Sequence, residues 1–232
     1  AMREETTALD TEVICDVVWT PSPDADANLA AEGIPAGRIT RVGNMMLDSF
    51  ELVRPAIEAA DVAGGLGLRR GGYGVVSVDR PSNVDDPKQL SRLVAALIAS
   101  QGRLPLVFPV HPRTRQRIDA LGIVMPETLH LLPPLGYMDF LNLWKDAVVA
   151  ITDSGGLQEE TTGLGVPCVT VRENTERPIT VEEGTNVLVG RDFDKLRRVV
   201  GEIMAGRSKQ GRRPRLWDGK AAERICEILA KA

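Results

Sequence analysis

Long apolar runs, paired cysteines and an excess of positive charge are all missing from this sequence. No stretch of about 18 apolar residues is present, so no segment has the pattern of a membrane-spanning helix. No charged-then-apolar leader begins the chain, and we therefore expect a cytoplasmic protein. The three cysteines, Cys15, Cys168 and Cys226, are too widely spaced for a metal-binding pair, and we expect reduced thiols packed in the core.

The charge balance argues against nucleic acid as the main partner. The net charge is −4 and the pI is near 5.4, whereas a protein that binds a phosphate backbone normally presents a net basic face. One local exception is a basic cluster before the last predicted helix, which we interpret as a solvated linker. The cluster comprises Arg207, Lys209, Arg212, Arg213 and Arg215.

Strand and helix patterns alternate along the chain, which predicts an α/β fold with a parallel sheet and helices on both faces. With 232 residues, 43% of them hydrophobic, the chain can bury one full core and part of a second. Strands are predicted at 39–42, 74–78, 104–110, 129–132, 147–151 and 167–171, with a helix end running into a strand over 13–20. Helices are predicted at 24–31, 49–60, 86–100, 114–121, 137–145, 157–164, 194–205 and 220–230.

The most informative segment follows the predicted strand 147–151. Ser154, Gly155 and Gly156 lie where that strand turns into a helix, and the first N–H groups of a helix have no intrahelical partner. The helix dipole adds roughly half a positive charge there, and the glycines let a ligand approach the backbone closely. In a parallel sheet such turns lie at the carboxyl ends of the strands, where ligands bind. The turn therefore predicts a phosphate site, although a Ser-Gly-Gly taken alone is most often a simple helix cap.

Two charged residues complete the predicted pocket. Glu160 lies further along the same helix, where its carboxylate would repel phosphates but could accept hydrogen bonds from sugar hydroxyls. Arg177, in Arg-Pro, could return to the pocket and neutralise a diphosphate with its planar fork of donors, or could be an ordinary loop residue. Together these residues predict a pocket that binds a nucleotide diphosphate, with a carboxylate beside it that contacts a sugar.

Three pieces in order resemble the signature of the non-hydrolysing UDP-N-acetylglucosamine 2-epimerases. They are Asp-Ser-Gly-Gly-x-Gln-Glu-Glu at 153–160, Gly-x-Pro at 165–167 and Thr-Glu-Arg-Pro at 175–178. The resemblance covers nearly the whole chain, but only about the C-terminal two thirds of the family's length. It implies the C-terminal domain of a two-domain, Rossmann-like fold of the B-type glycosyltransferase kind, together with a remnant of the N-terminal domain.

The resemblance also implies a division of the chain. Residues 1–48 correspond to the N-terminal remnant, 49–206 to the UDP-binding domain, and 207–232 to a linker and a C-terminal helix. The family's opening Gly-Thr-Arg-Pro-Glu loop and two of its catalytic acidic motifs are absent. We therefore expect either a homodimer or a partner polypeptide that supplies the missing domain.

Four further family positions match unevenly. Asp79, followed by Arg80, stands where the family motif His-Arg-Pro-x-Asn-Val-Asp has histidine, and an ionised aspartate would repel a diphosphate. His111 lies in Pro-Val-His-Pro-Arg-Thr, a family motif, at the end of a predicted strand, where a packed or capping histidine is the alternative. Phe140 falls where the family places an aromatic ring against uracil, although a core position on an amphipathic helix explains it equally well. Glu4 matches a catalytic glutamate, but the proline, asparagine and arginine around it are lost.

What the resemblance implies chemically is inversion at C2 of UDP-N-acetylglucosamine, giving UDP-N-acetylmannosamine. UDP leaves as the C2 proton is removed, and then returns; no redox cofactor and no metal are required. The diphosphate would be held by Ser154, Gly155, Gly156 and Arg177. The catalytic acid and base would come mostly from the part of the family's length that this sequence lacks. Two other functions stay open: a UDP-sugar-binding module without catalysis of its own, and a glycosyltransferase of the same architecture.

Overall fold

The computed structural model describes residues 14–101 and 104–231 of the chain. Contacts between residues divide it into two compact units. The smaller unit contains the described residues up to Leu52 and those from Pro214 onward, and the larger unit is Val53–Arg213. The assignment of segments 1–48, 49–206 and 207–232 to parts of a two-domain fold stays a prediction.

The elements are numbered here in chain order. Those up to the unit boundary are β1 (Val18–Thr20), α1 (Pro23–Ala31), a 3-10 turn (Ala36–Arg38), β2 (Ile39–Arg41) and α2 (Met45–Ala59), which contains the boundary. The larger unit continues with α3 (Val62–Gly65), β3 (Gly74–Ser77), α4 (Pro81–Val84), α5 (Pro87–Gln101), β4 (Leu106–Pro109), α6 (Pro112–Ala120), β5 (Leu129–Leu132), α7 (Tyr137–Lys145), β6 (Val149–Thr152), α8 (Gly155–Leu164), β7 (Cys168–Thr170), α9 (Pro178–Glu182), β8 (Asn186–Leu188) and α10 (Phe193–Met204). The last helix is α11 (Ala221–Leu229), in the smaller unit.

The smaller unit is built around a two-stranded parallel pair, β1 and β2. Its last helix is fixed by Asp48, whose carboxylate accepts hydrogen bonds from the backbone N–H groups of Ala221 (3.1 Å) and Ala222 (2.6 Å). A carboxylate at a helix start satisfies N–H groups that have no intrahelical partner and also complements the helix dipole. Trp217 is buried, and its indole N–H donates to the Pro21 carbonyl at 2.8 Å.

The larger unit is a six-stranded parallel sheet in the order β5-β4-β3-β6-β7-β8. The chain runs outward from β3 to β5 and then restarts at β6 on the other side of β3, so the topological switch point lies between β3 and β6. Both central strands are short, largely apolar and almost entirely buried, which is the pattern of parallel strands covered on both faces. Ligands of such sheets bind at the carboxyl ends of the strands next to the switch point.

The predicted α/β class with a parallel sheet is confirmed, and the predicted strands and helices are present with small shifts at their ends. Five short elements were not predicted, namely the 3-10 turn, α3, α4, α9 and β8. The strand β8 was missed because it has three residues and begins with the polar Asn186, whose burial is explained only by its partners on other elements.

The predicted solvated linker is partly wrong. Lys209 is only half exposed and its ammonium group donates to the Val181 and Asn186 carbonyls, while Arg213 Nε donates to the Gly163 carbonyl at 2.7 Å. Burial lowers the pKa of Lys209. This basic segment is therefore attached to the larger unit through backbone carbonyls, which the run of positive charges could not reveal.

The three cysteines are unpaired thiols with different environments. Cys168 is buried in β7, as expected, and burial raises its pKa to about 11. Cys226 is exposed on α11, so the expectation of a packed thiol is wrong there, and Cys15 is intermediate. Among the described residues, no helix is both long enough and apolar enough to cross a bilayer.

Candidate nucleotide-binding site

The start of α8 lies directly after the central strand β6. Ser154 is its N-terminal flanking residue, with extended backbone angles, and its N–H donates to Thr152 Oγ1 at 3.0 Å. A Cβ atom built on Gly155 would meet no other atom within 4 Å, so the space beside the first turn is open. The predicted strand-to-helix turn is confirmed. Unpaired N–H groups at such a position form a natural site for an anion.

Asp153 ties the ends of the central strands together. Its buried carboxylate accepts hydrogen bonds from the backbone N–H groups of Asp79 (3.3 Å) and Arg80 (2.9 Å) and from Asn83 Nδ2 (2.8 Å). Asn83 Nδ2 also donates to the Val171 carbonyl at 3.0 Å, beyond β7. Burial raises the pKa of Asp153, and these hydrogen bonds oppose that effect. The loops that follow β3, β6 and β7 are thereby held in one place at the switch point.

Two arginines bring positive charge to this edge of the sheet. Arg80 Nε donates to the Asp153 carbonyl at 3.0 Å. Arg172, whose side chain is only 7% exposed, forms a two-pronged ion pair with Glu176 that includes an Nη1–Oε2 distance of 2.7 Å. That hydrogen bonding from Arg172, with a smaller contribution from the charge of Arg80, lowers the pKa of Glu176 to about 2. Arg172 was not identified from the sequence, although its position just beyond a buried strand was the available signal.

Arg177 lies on the loop between β7 and α9, beside α8. Its Nε is 3.2 Å from Glu159 Oε1, and Glu159 belongs to α8. The Arg177 side chain is 45% exposed, so this ion pair leaves much of the guanidinium accessible to solvent. Arg177 therefore lies beside α8, and its predicted place in a diphosphate pocket stays a proposal.

Glu160 is a buried carboxyl group, with 5% of its surface exposed, on the same helix. Burial raises its pKa to about 7; the hydrogen bond from Tyr137 opposes this shift, and the negative charge of Glu159 adds to it. Tyr137 Oη lies 3.4 Å from Glu160 Oε1, and burial raises the pKa of Tyr137 as well. Tyr137 was not identified from the sequence. Phe140, one turn later on α7, is half-buried, so both of its predicted roles stay open.

The family model for UDP-N-acetylglucosamine 2-epimerases matches residues 1–230 of this sequence. The chain belongs to this family. A UDP-N-acetylglucosamine 2-epimerase from Methanocaldococcus jannaschii is 35% identical over 237 residues, which cover 98% of this chain and 64% of the relative. A UDP-2,3-diacetamido-2,3-dideoxy-D-glucuronate 2-epimerase from Pseudomonas aeruginosa is 34% identical over 234 residues, which cover 99% of this chain and 64% of the relative.

The fold agrees with solved epimerase structures. The structure of the Methanocaldococcus jannaschii UDP-GlcNAc 2-epimerase in complex with UDP-GlcNAc and UDP matches with a TM-score of 0.81 at 34% identity. That match covers 94% of this chain and 62% of the solved chain. The present chain thus has part of the two-domain epimerase fold and spans about 64% of the length of the curated relatives.

Asp79, which we predict to stand at a histidine position of the family motif, interacts with α6. Its carboxylate accepts a hydrogen bond from Thr114 Oγ1 on α6, and its carbonyl accepts one from Arg113 Nη2 at 3.2 Å. His111, also predicted as a site residue, is exposed at the start of α6, where its Nδ1 accepts from the Arg113 N–H at 3.3 Å. Both side chains therefore interact with the first turn of α6. Glu4 lies outside the described residues.

Proposed function

We propose that this chain is the UDP-holding part of a UDP-N-acetylglucosamine 2-epimerase, which interconverts UDP-GlcNAc and UDP-ManNAc by elimination and re-addition of UDP. The observation that carries the proposal is the open first turn of α8 at the switch point, with Arg177 on its flank. Membership of the family supports it, as does the relative that was solved with UDP-GlcNAc and UDP.

In this proposal the chain stabilises the leaving group. Negative charge develops on the departing diphosphate, and two kinds of donor face it. They are the backbone N–H groups of Gly155 and Gly156 and the guanidinium groups of Arg177 and Arg80. Donors that are already fixed in position need no rearrangement during the reaction, which is why such sites lower the barrier. Glu160 accepts hydrogen bonds from the ribose hydroxyls in its ionised form. The groups that move the C2 proton come mostly from the third of the family fold that this chain does not span.

A second sugar is a specific alternative. The Pseudomonas aeruginosa relative is named for a diacetamido-glucuronate carried on UDP, and its identity to this chain is 34%. The nucleotide would occupy the same pocket in both cases, because the proposed contacts involve the diphosphate and the ribose. Comparing UDP-GlcNAc with UDP-2,3-diacetamido-2,3-dideoxy-D-glucuronate as ligands separates the two substrates.

A UDP-sugar-binding module without catalysis, or half of a split enzyme, is favoured by one observation: an aspartate, Asp79, stands where the family motif has histidine.

A glycosyltransferase of the same fold is a weaker alternative, because the Gln158–Glu160 and Thr175–Pro178 segments together are typical of the epimerases. We propose in either case a homodimer, or a partner polypeptide that completes the cleft.

Proton exchange at C2 of UDP-GlcNAc in deuterated water tests the proposal. The chain should bind UDP in a calorimetric titration and yet exchange the C2 proton slowly or not at all. Exchange at a rate typical of enzymes would show that the chain contains a complete acid and base. Failure to bind UDP would refute the proposed function itself.

A further inference from the structure

We propose that Gln158 and Thr175 are positioning residues that hold Arg177 in register with the start of α8. This inference rests on the proposed function, since it assigns a purpose to groups around the proposed diphosphate site. The relevant feature is a buried hydrogen-bonded chain between Ser154, which precedes α8, and the loop that carries Arg177.

The side-chain amide of Gln158 is at the centre of this chain. Gln158 is fully buried on the second turn of α8, and its Nε2 donates to the Ser154 carbonyl at 3.1 Å. Its Oε1 accepts two hydrogen bonds, from Thr175 Oγ1 at 2.7 Å and from Asn186 Nδ2 at 3.0 Å. The amide thus connects the helix start, the loop and the edge strand β8.

Thr175 transfers this connection to Arg177. Its hydroxyl donates to Gln158 and accepts from the Arg177 backbone N–H at 3.0 Å. All three hydrogen bonds therefore point the same way, from Arg177 through Thr175 and Gln158 to the Ser154 carbonyl. Hydrogen bonds arranged in such a chain polarise and strengthen one another in a low-dielectric interior.

Asn186 anchors the chain to the sheet. Besides donating to Gln158, it accepts a hydrogen bond from Thr170 Oγ1 at 2.6 Å through Oδ1, and it is fully buried. The position of Gln158 Oε1 is therefore set by both β7 and β8. A leucine at position 158 would fill a similar volume, but it would offer no acceptor to Thr175. The polar chain is thus better explained by a need for a defined loop position than by core filling.

The test is UDP and uridine binding to Thr175→Val, which keeps the shape of the side chain and removes the hydroxyl. We expect UDP affinity to fall about three- to tenfold, the size expected for one or two neutral hydrogen bonds. Uridine affinity should not change, because uridine has no phosphate for Arg177 to contact. Thr175→Ser should restore UDP binding. In an Arg177→Ala background, Thr175→Val should have no further effect.

Thr161→Val is the matched control. Thr161 is a buried threonine on α8 whose hydroxyl donates to the Leu157 carbonyl at 2.6 Å, within the helix. The affinity of the Thr161→Val variant for UDP should equal that of the wild type. Gln158→Met should reproduce the selective loss of UDP affinity seen in Thr175→Val.

Four outcomes would overturn the inference. Equal losses for UDP and uridine, or a full additional loss on the Arg177→Ala background, would mean that Thr175 only maintains the fold. Unchanged UDP affinity in Thr175→Val, with normal binding by the wild type, would overturn the inference alone. No UDP binding by the wild type would overturn the proposed function and this inference with it.

Discussion

Helices α5 and α8 belong to the same unit, but the side chains that α5 buries are mostly apolar, whereas those that α8 buries are mostly polar. On α5 most buried positions are apolar, and Leu90, Leu93, Val94 and Leu97 follow the spacing of one helix face, with Gln89 and Ser100 as the buried polar exceptions. On α8 the buried run includes Gln158, Glu159, Glu160, Thr161 and Thr162 after a single leucine. The two helices therefore contribute to the unit in different ways.

We interpret the difference as one between a helix that mainly stabilises the unit and a helix that carries the proposed site. Burying apolar surface stabilises a fold without requiring a particular partner, so a helix such as α5 needs only its apolar face. Burying an amide or a carboxyl is unfavourable unless it is hydrogen-bonded, and Gln158 and Glu160 each have specific partners. The polar face of α8 is consistent with a helix that positions groups around a ligand.

Leu97→Ala should have the largest effect, because it removes a fully buried side chain from α5. The free energy of unfolding should fall by about 2 to 5 kcal/mol through lost burial and the cavity left behind. UDP affinity of the folded protein should be unchanged. Urea denaturation and calorimetry measure the two quantities, and Leu52→Ala, at an 84% exposed leucine, is the control that should leave stability nearly unaltered. A large loss of UDP affinity in Leu97→Ala would contradict the separation of roles.

Glu160→Gln should change the pH dependence of stability. The pKa of Glu160 is raised from 4.5 to about 7 in the folded protein, so its contribution to stability is present below pH 4.5 and is lost as pH rises through 7. Each pKa unit corresponds to about 1.4 kcal/mol, so the wild type should lose on the order of 2 kcal/mol more than the variant between pH 5 and pH 8.

Denaturant titrations at several pH values measure this difference. Tyr137→Phe, which removes the hydroxyl near Glu160, should raise the pKa of Glu160 further, because the hydrogen bond from Tyr137 lowers it. Identical pH profiles for the wild type and Glu160→Gln would show that Glu160 is ionised in the folded protein throughout this range.

Arg172→Met should remove the cause of the low pKa of Glu176. The folded-state pKa of Glu176 is about 2, so the pair contributes stability above pH 4.5 that is lost as pH falls through 2. Because Glu176 is 38% exposed, solvent screening reduces the contribution to on the order of 1 kcal/mol. The wild type and the variant should therefore differ most at neutral pH and converge in acid, as measured by denaturation from pH 7 to pH 2. A difference that grows in acid would exclude this ion pair as its cause.

Asp79→His should have the smallest effect. A carboxylate directed at the diphosphate would weaken UDP binding. The Asp79 carboxylate instead accepts a hydrogen bond from the Thr114 hydroxyl at the start of α6. We expect the affinity for UDP to increase by less than about threefold, which is less than the typical contribution of one neutral hydrogen bond. Calorimetry from pH 5 to 8 on both proteins checks this. A tenfold or greater gain would place the carboxylate against the nucleotide instead.

Sequence patterns predicted the parts of the fold that depend on local spacing. The strand β5 and the helix α7 have the predicted bounds, and the turn before α8 was located from a buried strand followed by Ser-Gly-Gly. The contacts that complete the site could not be predicted in this way. Asn186 and Gln158 are 28 residues apart, and their hydrogen bond depends on how β8 lies beside β7. Likewise, nothing in the motif around Asp79 indicates its hydrogen bond to Thr114.

The most direct test of the central claim is a calorimetric titration of UDP into the wild type and Arg177→Ala. Arg198→Ala, which removes an exposed arginine from α10, is the charge-matched control and should bind UDP like the wild type. Losing a charge-assisted hydrogen bond costs about 1.5 to 3 kcal/mol, so Arg177→Ala should weaken binding about tenfold or more. Absence of UDP binding by the wild type, or equal affinities for the wild type and Arg177→Ala, would contradict the assignment of the diphosphate site to α8 and Arg177.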